Sequence, residues 1–180
     1  MNPSAASAFV EDLVQCHLDA AYNLGRWLLG NEPDAADAVH DAFVRALRSA
    51  HTYAGGNARA WWLAIVRNCC LSKIASRKRE QQHRHLSLVS TDSSVPESSD
   101  VENLIDAGQR RALVAEQLRA LPAEFRETLV LREIEDLSYR EIADVLGVPI
   151  GTVMSRLARG RALLQRALGA SPAEEKARGL

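Results

Sequence analysis

The stretch STDSSVPESSDVEN, residues 90–103, sets the architecture of this 180-residue chain. It is Ser-rich, acidic and poor in large apolar residues, so it cannot bury enough surface to offset the entropy of ordering it. A single core cannot run through such a stretch. The chain therefore divides into two small units, about 1–84 and 106–170, joined by a flexible linker over 85–105. The polar tail SPAEEKARGL, residues 171–180, is expected to be disordered.

Both units read as helical. Ala, Leu, Arg and Glu are abundant, aromatics make up 5% of the chain, and no segment alternates apolar and polar residues as a strand does. The fold class expected is all-α, with helices over 7–29, 33–50, 58–79, 106–120, 123–136, 139–146 and 150–168. Pro33 suits a first helical turn, and the Gly-Gly of YAGGN breaks the chain before the helix that follows.

The last two helices have the form of a helix-turn-helix. Ser138 and Glu141 make an S-x-x-E capping box at the start of YREIADVL, and Gly147 ends that helix where a left-handed residue is needed. After the turn GVP, Val153, Leu157, Gly160 and Leu164 share one face of the next helix, while Ser155, Arg159 and Arg166 point roughly the opposite way. A major groove admits such a helix, and Arg suits a bidentate contact with guanine. Thr152, Ser155 and Arg159 are the base-edge or first-turn candidates, with Arg156 and Arg161 as phosphate partners. The bland alternative is a helical hairpin whose arginines are solvated.

In the first unit, DAADAVHDAFVRALRS, residues 34–49, turns Val39, Phe43 and Leu47 toward a core and Asp34, Asp37 and Asp41 away from it, with His40 at the boundary. Taken alone, an acidic face of this kind is usually just solvated. Charge is segregated along the chain despite a net value of -1. Acids dominate residues 1–41, bases dominate 59–84, and 151–166 carries four arginines and no acid. Two basic blocks are thus separated by an acidic one, a segregation that says more about partners than the net charge does.

Several classes are disfavoured. No P-loop, Rossmann glycine pattern, HExxH or nucleophile elbow is present, so no enzyme and no cofactor is expected. Cys16, Cys69 and Cys70 have no disulfide or zinc spacing and are expected to be reduced and mostly buried, and His83 and His85 lack nearby ligands. No apolar run approaches the ~18 to 20 residues of a membrane span, and the N-terminus lacks a signal-peptide pattern, so membrane insertion is not expected and a cytoplasmic location is.

Three segments together resemble the extracytoplasmic-function (ECF) group of bacterial sigma factors. DAADAVHDAFVRAL is similar to their core-polymerase-binding motif. AWWLAIVRN is similar to the signature of the helix behind their promoter-melting loop. LPAEFRETLVLREIEDLSYREIADVLGVPIGTVMSRLARGRALL resembles their C-terminal DNA-reading domain throughout. The resemblance spans nearly all of residues 9–168.

It implies a sigma factor that directs core RNA polymerase to promoter DNA, in a stress or envelope response, restrained by an anti-sigma factor. Asp37, His40 and Asp41 would meet the polymerase; the family commonly has Gln and Glu in place of His40 and Asp41. Tyr53 and Asn57 would capture an unstacked base of the minus-10 element, although Asn57 could equally be a simple helix cap. Arg59, Arg67, Lys73 and Arg77 would follow its phosphates. Trp61 matches the family tryptophan and is expected in the core, whereas Trp62 replaces a usual Leu.

Promoter elements ~16 to 17 base pairs apart lie ~55 Å apart. The 28 residues from Glu80 to Ala107 reach that far only when stretched, at ~90 Å fully extended against ~30 Å as a coil. A free-standing helix-turn-helix regulator would need a dimerisation face, and the acidic and basic helices of the first unit offer no evident one. A helical adaptor that never touches DNA would tolerate charge reversal at Arg156 and Arg159.

Overall fold

A computed structural model describes residues 3–85 and 105–169. In order, these form α1 (Pro3–Cys16), α2 (Leu18–Leu29), α3 (Glu32–Ser49), a 3-10 turn (Ala50–Thr52), α4 (Ala58–His85), α5 (Ile105–Ala120), α6 (Ala123–Leu129), a π turn (Val130–Ile134), α7 (Tyr139–Leu146) and α8 (Ile150–Gly169). No strand occurs among the described residues, as the all-α expectation required.

Local chemistry accounts for most of the boundaries. Gly30 takes a left-handed conformation, φ 81°, and ends α2, and Asn31 then caps α3 by accepting from the Asp34 amide at 2.9 Å. Asn57 does the same for α4, accepting from the Ala60 amide at 2.9 Å. The capping box at Ser138 and Glu141 is formed in both directions, and Gly147 is left-handed at φ 66°.

Three boundaries differ from the sequence expectation. The helix expected over 7–29 bends at His17, φ -128° and ψ 23°, giving α1 and α2. No glycine or proline stands there; the bend lets α1 pack on α3 and α4 while α2 packs on α3, α4 and α6. The helix expected over 123–136 loosens after Leu129 into a π turn, where Glu135 donates its amide to the Val130 carbonyl at 3.1 Å and Asp136 is left-handed at φ 49°. α4 continues past residue 79 to His85, since RKREQQ contains no breaker.

The core of the first half is narrow-stemmed. Ala35, Ala38, Ala42 and Ala46 of α3 are buried with Val39, as are Ala20, Ala21 and Leu24 of α2, and α2 and α3 pack together. The small residues let the helices approach closely: a β-carbon built at Gly25 would lie 3.2 Å from that of Ala35. Phe43 and Leu47, expected to point into the core, reach only its half-buried edge. Trp62 is fully buried, which gives the residue in place of the usual Leu a packing role, and Trp61 is half-buried beside it.

The second half has larger side chains: Leu129, Leu131, Leu137, Ile142, Val153 and Leu157 are all nearly inaccessible. Gly160 lies against Leu129, where a β-carbon would meet Leu129 Cδ1 at 3.0 Å. The halves also pack together, α2 on α6 and the π turn, and α4 on α7.

Candidate functional site

α8 packs one face on α5, α6 and α7 and leaves the other to solvent. Val153 and Leu157 are buried, while Gly151, Met154, Ser155, Ala158 and Arg159 are exposed. The five residues expected to meet DNA here fall into two groups. Ser155 and Arg159 face outward with Thr152 half-buried beside them, and the Ser155 hydroxyl donates to the Thr152 carbonyl at 3.0 Å, leaving its lone pairs to accept. Arg156 and Arg161 are instead engaged, Arg156 with Glu127 at 3.5 Å and Arg161 with Glu133 at 2.6 Å. Hydrogen bonding to Glu133 holds the Arg161 guanidinium above its usual pKa.

In the first half, the loop before α4 is closed by an aromatic stack. The Tyr53 ring lies 5.0 Å from Phe9 and 5.5 Å from Trp61, and its hydroxyl donates to the Gly56 carbonyl at 2.6 Å. Phe9 belongs to α1, and no spacing in the sequence ties it to the loop. Asn57 caps α4 and also donates its amide to Glu141 of the capping box. The Ser138 hydrogen bonds, helped by the nearby Arg59 charge and the Asn57 contact, outweigh burial and hold the Glu141 carboxyl below its usual range.

The cations of α4 meet two different sets of acids. Lys73 binds Asp37 at 3.0 Å and Arg77 binds Asp34, both on α3. Burial pushes the Asp34 carboxyl up, but hydrogen bonds from Asn31 and Arg77 and the charges of Arg77 and Lys73 outweigh it and leave its pKa low. Arg67 binds Glu127 through two hydrogen bonds, at 2.8 and 3.0 Å, and Arg59 binds Glu135 at 3.0 Å.

Asp37, His40 and Asp41 remain exposed along α3. Beside them a groove of about 580 Å³ is lined by Val14, Leu18, Tyr22, Val39, His40 and Phe43. Leu18 is 48% exposed at its rim, so an apolar surface adjoins the acidic one.

Two family models match the chain, sigma-70 region 2 over residues 13–80 and sigma-70 region 4 over residues 111–164. The chain belongs to the sigma-70 family. The ECF RNA polymerase sigma factor SigE of Mycolicibacterium smegmatis is 36% identical over 164 residues, which is 89% of this chain, and the chain spans 62% of the length of SigE. Among solved structures, the sigma factor RpoE from Bartonella quintana, in complex with the anti-sigma factor NepR, superposes with a TM-score of 0.69 at 26% identity, covering 89% of this chain and 97% of RpoE. CnrH, in complex with the cytosolic domain of CnrY, gives a TM-score of 0.63 at 25% identity, covering 94% and 96%.

Within this sigma-70 chain, the region 2 match takes in α2, α3 and most of α4, and the region 4 match runs from α5 into α8. Sequence reading missed the acids between the two regions. Glu127 and Glu135 are 4% and 6% exposed, and they hold Arg67, Arg156 and Arg59. A buried Glu is a strong signal once its burial is known, but in sequence EFRETLVLREIED looks like an ordinary amphipathic helix.

Among the described residues no three His, Cys, Asp or Glu side chains gather as a metal site, and no helix is long and apolar enough to cross a membrane. The side chains of His83 and His85, the linker core and the tail lie outside the described residues. Cys69 and Cys70 are buried, and burial pushes the Cys70 thiol up to about 12, where it stays protonated. Cys16, expected with the others to be mostly buried, is instead exposed at the end of α1.

Proposed function

We propose that this sigma-70 family chain is a dissociable initiation subunit that gives core RNA polymerase its promoter specificity in the cytoplasm, with no catalysis of its own. The observation that carries this is the pairing, in one chain, of a region 2 module and a region 4 module whose α8 presents Ser155 and Arg159 outward. Neither module need bind tightly alone. Polymerase holds both on one promoter and supplies much of the affinity, so each reader can be small.

Thr152, Ser155 and Arg159 read the minus-35 element, with Arg156 and Arg161 on phosphates. Tyr53 and Asn57 take an unstacked minus-10 base, which offsets the few kcal/mol of flipping it by stacking and edge hydrogen bonds. Arg59, Arg67, Lys73 and Arg77 track the backbone there. Asp37, His40 and Asp41, beside the groove at Leu18, form the polymerase contact. Since α4 ends at His85 and α5 starts at Ile105, only ~19 residues join the regions, reaching ~65 Å at most. That leaves little slack over a ~55 Å promoter spacing. By analogy with RpoE held by NepR, an anti-sigma factor restrains the protein, in a stress or envelope response.

Run-off transcription with core polymerase over a promoter library tests the reading. New start sites are expected only when the protein is added, and the Asp37→Lys, Asp41→Lys double variant is expected to lose co-purification with core. No new start site overturns the proposal, and a free-standing regulator would bind DNA without altering initiation.

A further inference from the structure

The outward face of α8 is not uniformly polar. Met154 is 51% exposed, more than any other large apolar side chain among the described residues, and Ile150, one turn before it, is 39% exposed. Ala158, one turn after it, is exposed as well. A spacing of four sets Ile150, Met154 and Ala158 in one row along the helix, each turned by only ~40° from the last. Ser155 and Arg159, each one residue further on, make a second, polar row beside it. Arg156 turns to the other side of α8, where it lies 3.5 Å from Glu127 at the seam between regions 2 and 4.

Gly151 adds an independent observation. It stands in the first turn of α8 between the two rows, its backbone is not left-handed, and a β-carbon built on it would meet nothing within 4 Å. Neither conformation nor packing within the chain calls for glycine there, although glycine weakens a helix relative to alanine. What it does provide is close approach of an outside surface to the helix backbone. A helical side chain leans toward the N-terminus of its helix, so Met154 projects over this same first turn, the end of a reading helix that enters the groove.

The polar row suits the donors and acceptors of base edges, whereas the apolar row suits the one methyl group that the major groove displays, on C5 of thymine. We infer that Met154 is a specificity-determining residue of the minus-35 reader and packs on the C5-methyl of a thymine in that element. Ser155 and Arg159 take the hydrogen-bonding edges beside it, and Gly151 and Ala158 leave room for the methyl group to come close. The inference rests on the sigma-factor reading above and gives its minus-35 site a base preference.

Two properties separate this contact from those of the arginines. It is neither ionic nor hydrogen-bonded, so the discrimination it supplies is insensitive to salt, while phosphate contacts weaken as salt rises. It also distinguishes thymine from uracil, which present the same hydrogen-bonding groups and differ by that methyl alone.

The test uses holoenzyme, the full chain with core polymerase, on the promoter that a run-off library screen selects. Each minus-35 thymine, on either strand, is replaced in turn by deoxyuridine, and affinity is measured at two salt concentrations. One replacement is expected to weaken binding by the parent ~4-fold at both, the worth of burying one methyl group. Met154→Ala is expected to weaken binding to the thymine promoter and to bind the thymine and deoxyuridine versions equally, while Met154→Leu keeps the difference. The protein and DNA substitutions form a cycle, and their coupling measures the contact rather than any general loss of stability. Alanine is a good helix former and Met154 is exposed, so the variant is expected to melt with the parent.

A parent holoenzyme indifferent to every deoxyuridine replacement overturns the inference. So does a selected minus-35 element without thymine, or a thymine preference that survives in Met154→Ala. Each of these leaves a promoter-directing sigma factor in place, whereas the absence of any new start site overturns both readings.

Discussion

In region 2 each candidate DNA cation on α4 meets a carboxylate, whereas on α8 of region 4 Arg159 and Arg166 meet none among the described residues. The difference follows from where the helices sit. α4 is central, with α2 and α3 on one side and α7 on another, so its cations fall near the acids of its neighbours. α8 is packed on one side only. Arg159 and Arg166, on its bare side, meet no acid among the described residues, whereas Arg161 reaches Glu133. A basic helix read from sequence is therefore a free basic surface only when the rest of the fold leaves one face bare.

The cores contrast in the same way. Region 2 packs alanines at close range around Trp62, Leu24 and Leu63, and region 4 packs mostly branched aliphatic side chains. Trp62→Ala should give the largest effect, destabilising by ~3–5 kcal/mol, and Leu157→Ala should follow at ~2–5 kcal/mol. Because α4 packs on α7 and the seam holds buried ion pairs, each is expected to lower a single melting transition in calorimetry. A two-step melt in which each substitution moves only its own region would show that the cores are energetically separate.

Under the proposed function, the two helices are expected to treat sequence differently. Arg159→Ala should lose ~1–3 kcal/mol of discrimination at one minus-35 position, as a base-edge contact does. Lys73→Ala, on phosphate, should weaken holoenzyme binding for all promoters alike and flatten the salt slope by ~1. Quantitative binding over a promoter library reads both. Equal, sequence-blind losses at the two positions would erase the distinction between a reading helix and a tracking helix.

The smallest effect concerns the capping box that starts the helix-turn-helix. Ser138→Ala should destabilise by ~1 kcal/mol. The Glu141 carboxyl is held below its usual value of 4.5, so its contribution is fully present above that pH and is lost as pH falls through the lower folded value. Denaturant unfolding between pH 3 and 7 should show this acid limb, and Glu141→Gln should flatten it. An unaltered limb would place the acid sensitivity elsewhere, with Asp34 of region 2, whose pKa is also low, as the next candidate.

Much of the architecture was legible in the sequence because it is written in local chemistry. The capping box at Ser138, the left-handed Gly147 and the apolar face of Val153 and Leu157 each depend on residues within one or two turns, so spacing alone locates them. The linker composition likewise separated two units, and the order of motifs led to the sigma-70 family. The outward aspect of Ser155 and Arg159 followed from helical periodicity alone. What periodicity could not reveal was who faces whom. The bend at His17, the π turn after Leu129, the burial of Trp62, and the capture of Arg59, Arg67 and Arg156 by Glu135 and Glu127 all arise between residues far apart in the chain. Long-range packing decides burial, and burial turns an ordinary glutamate into the partner of two arginines. The sequence by itself determined the helices, the two regions and the outward face of α8; only the tertiary structure decided which of the basic residues are paired with acids.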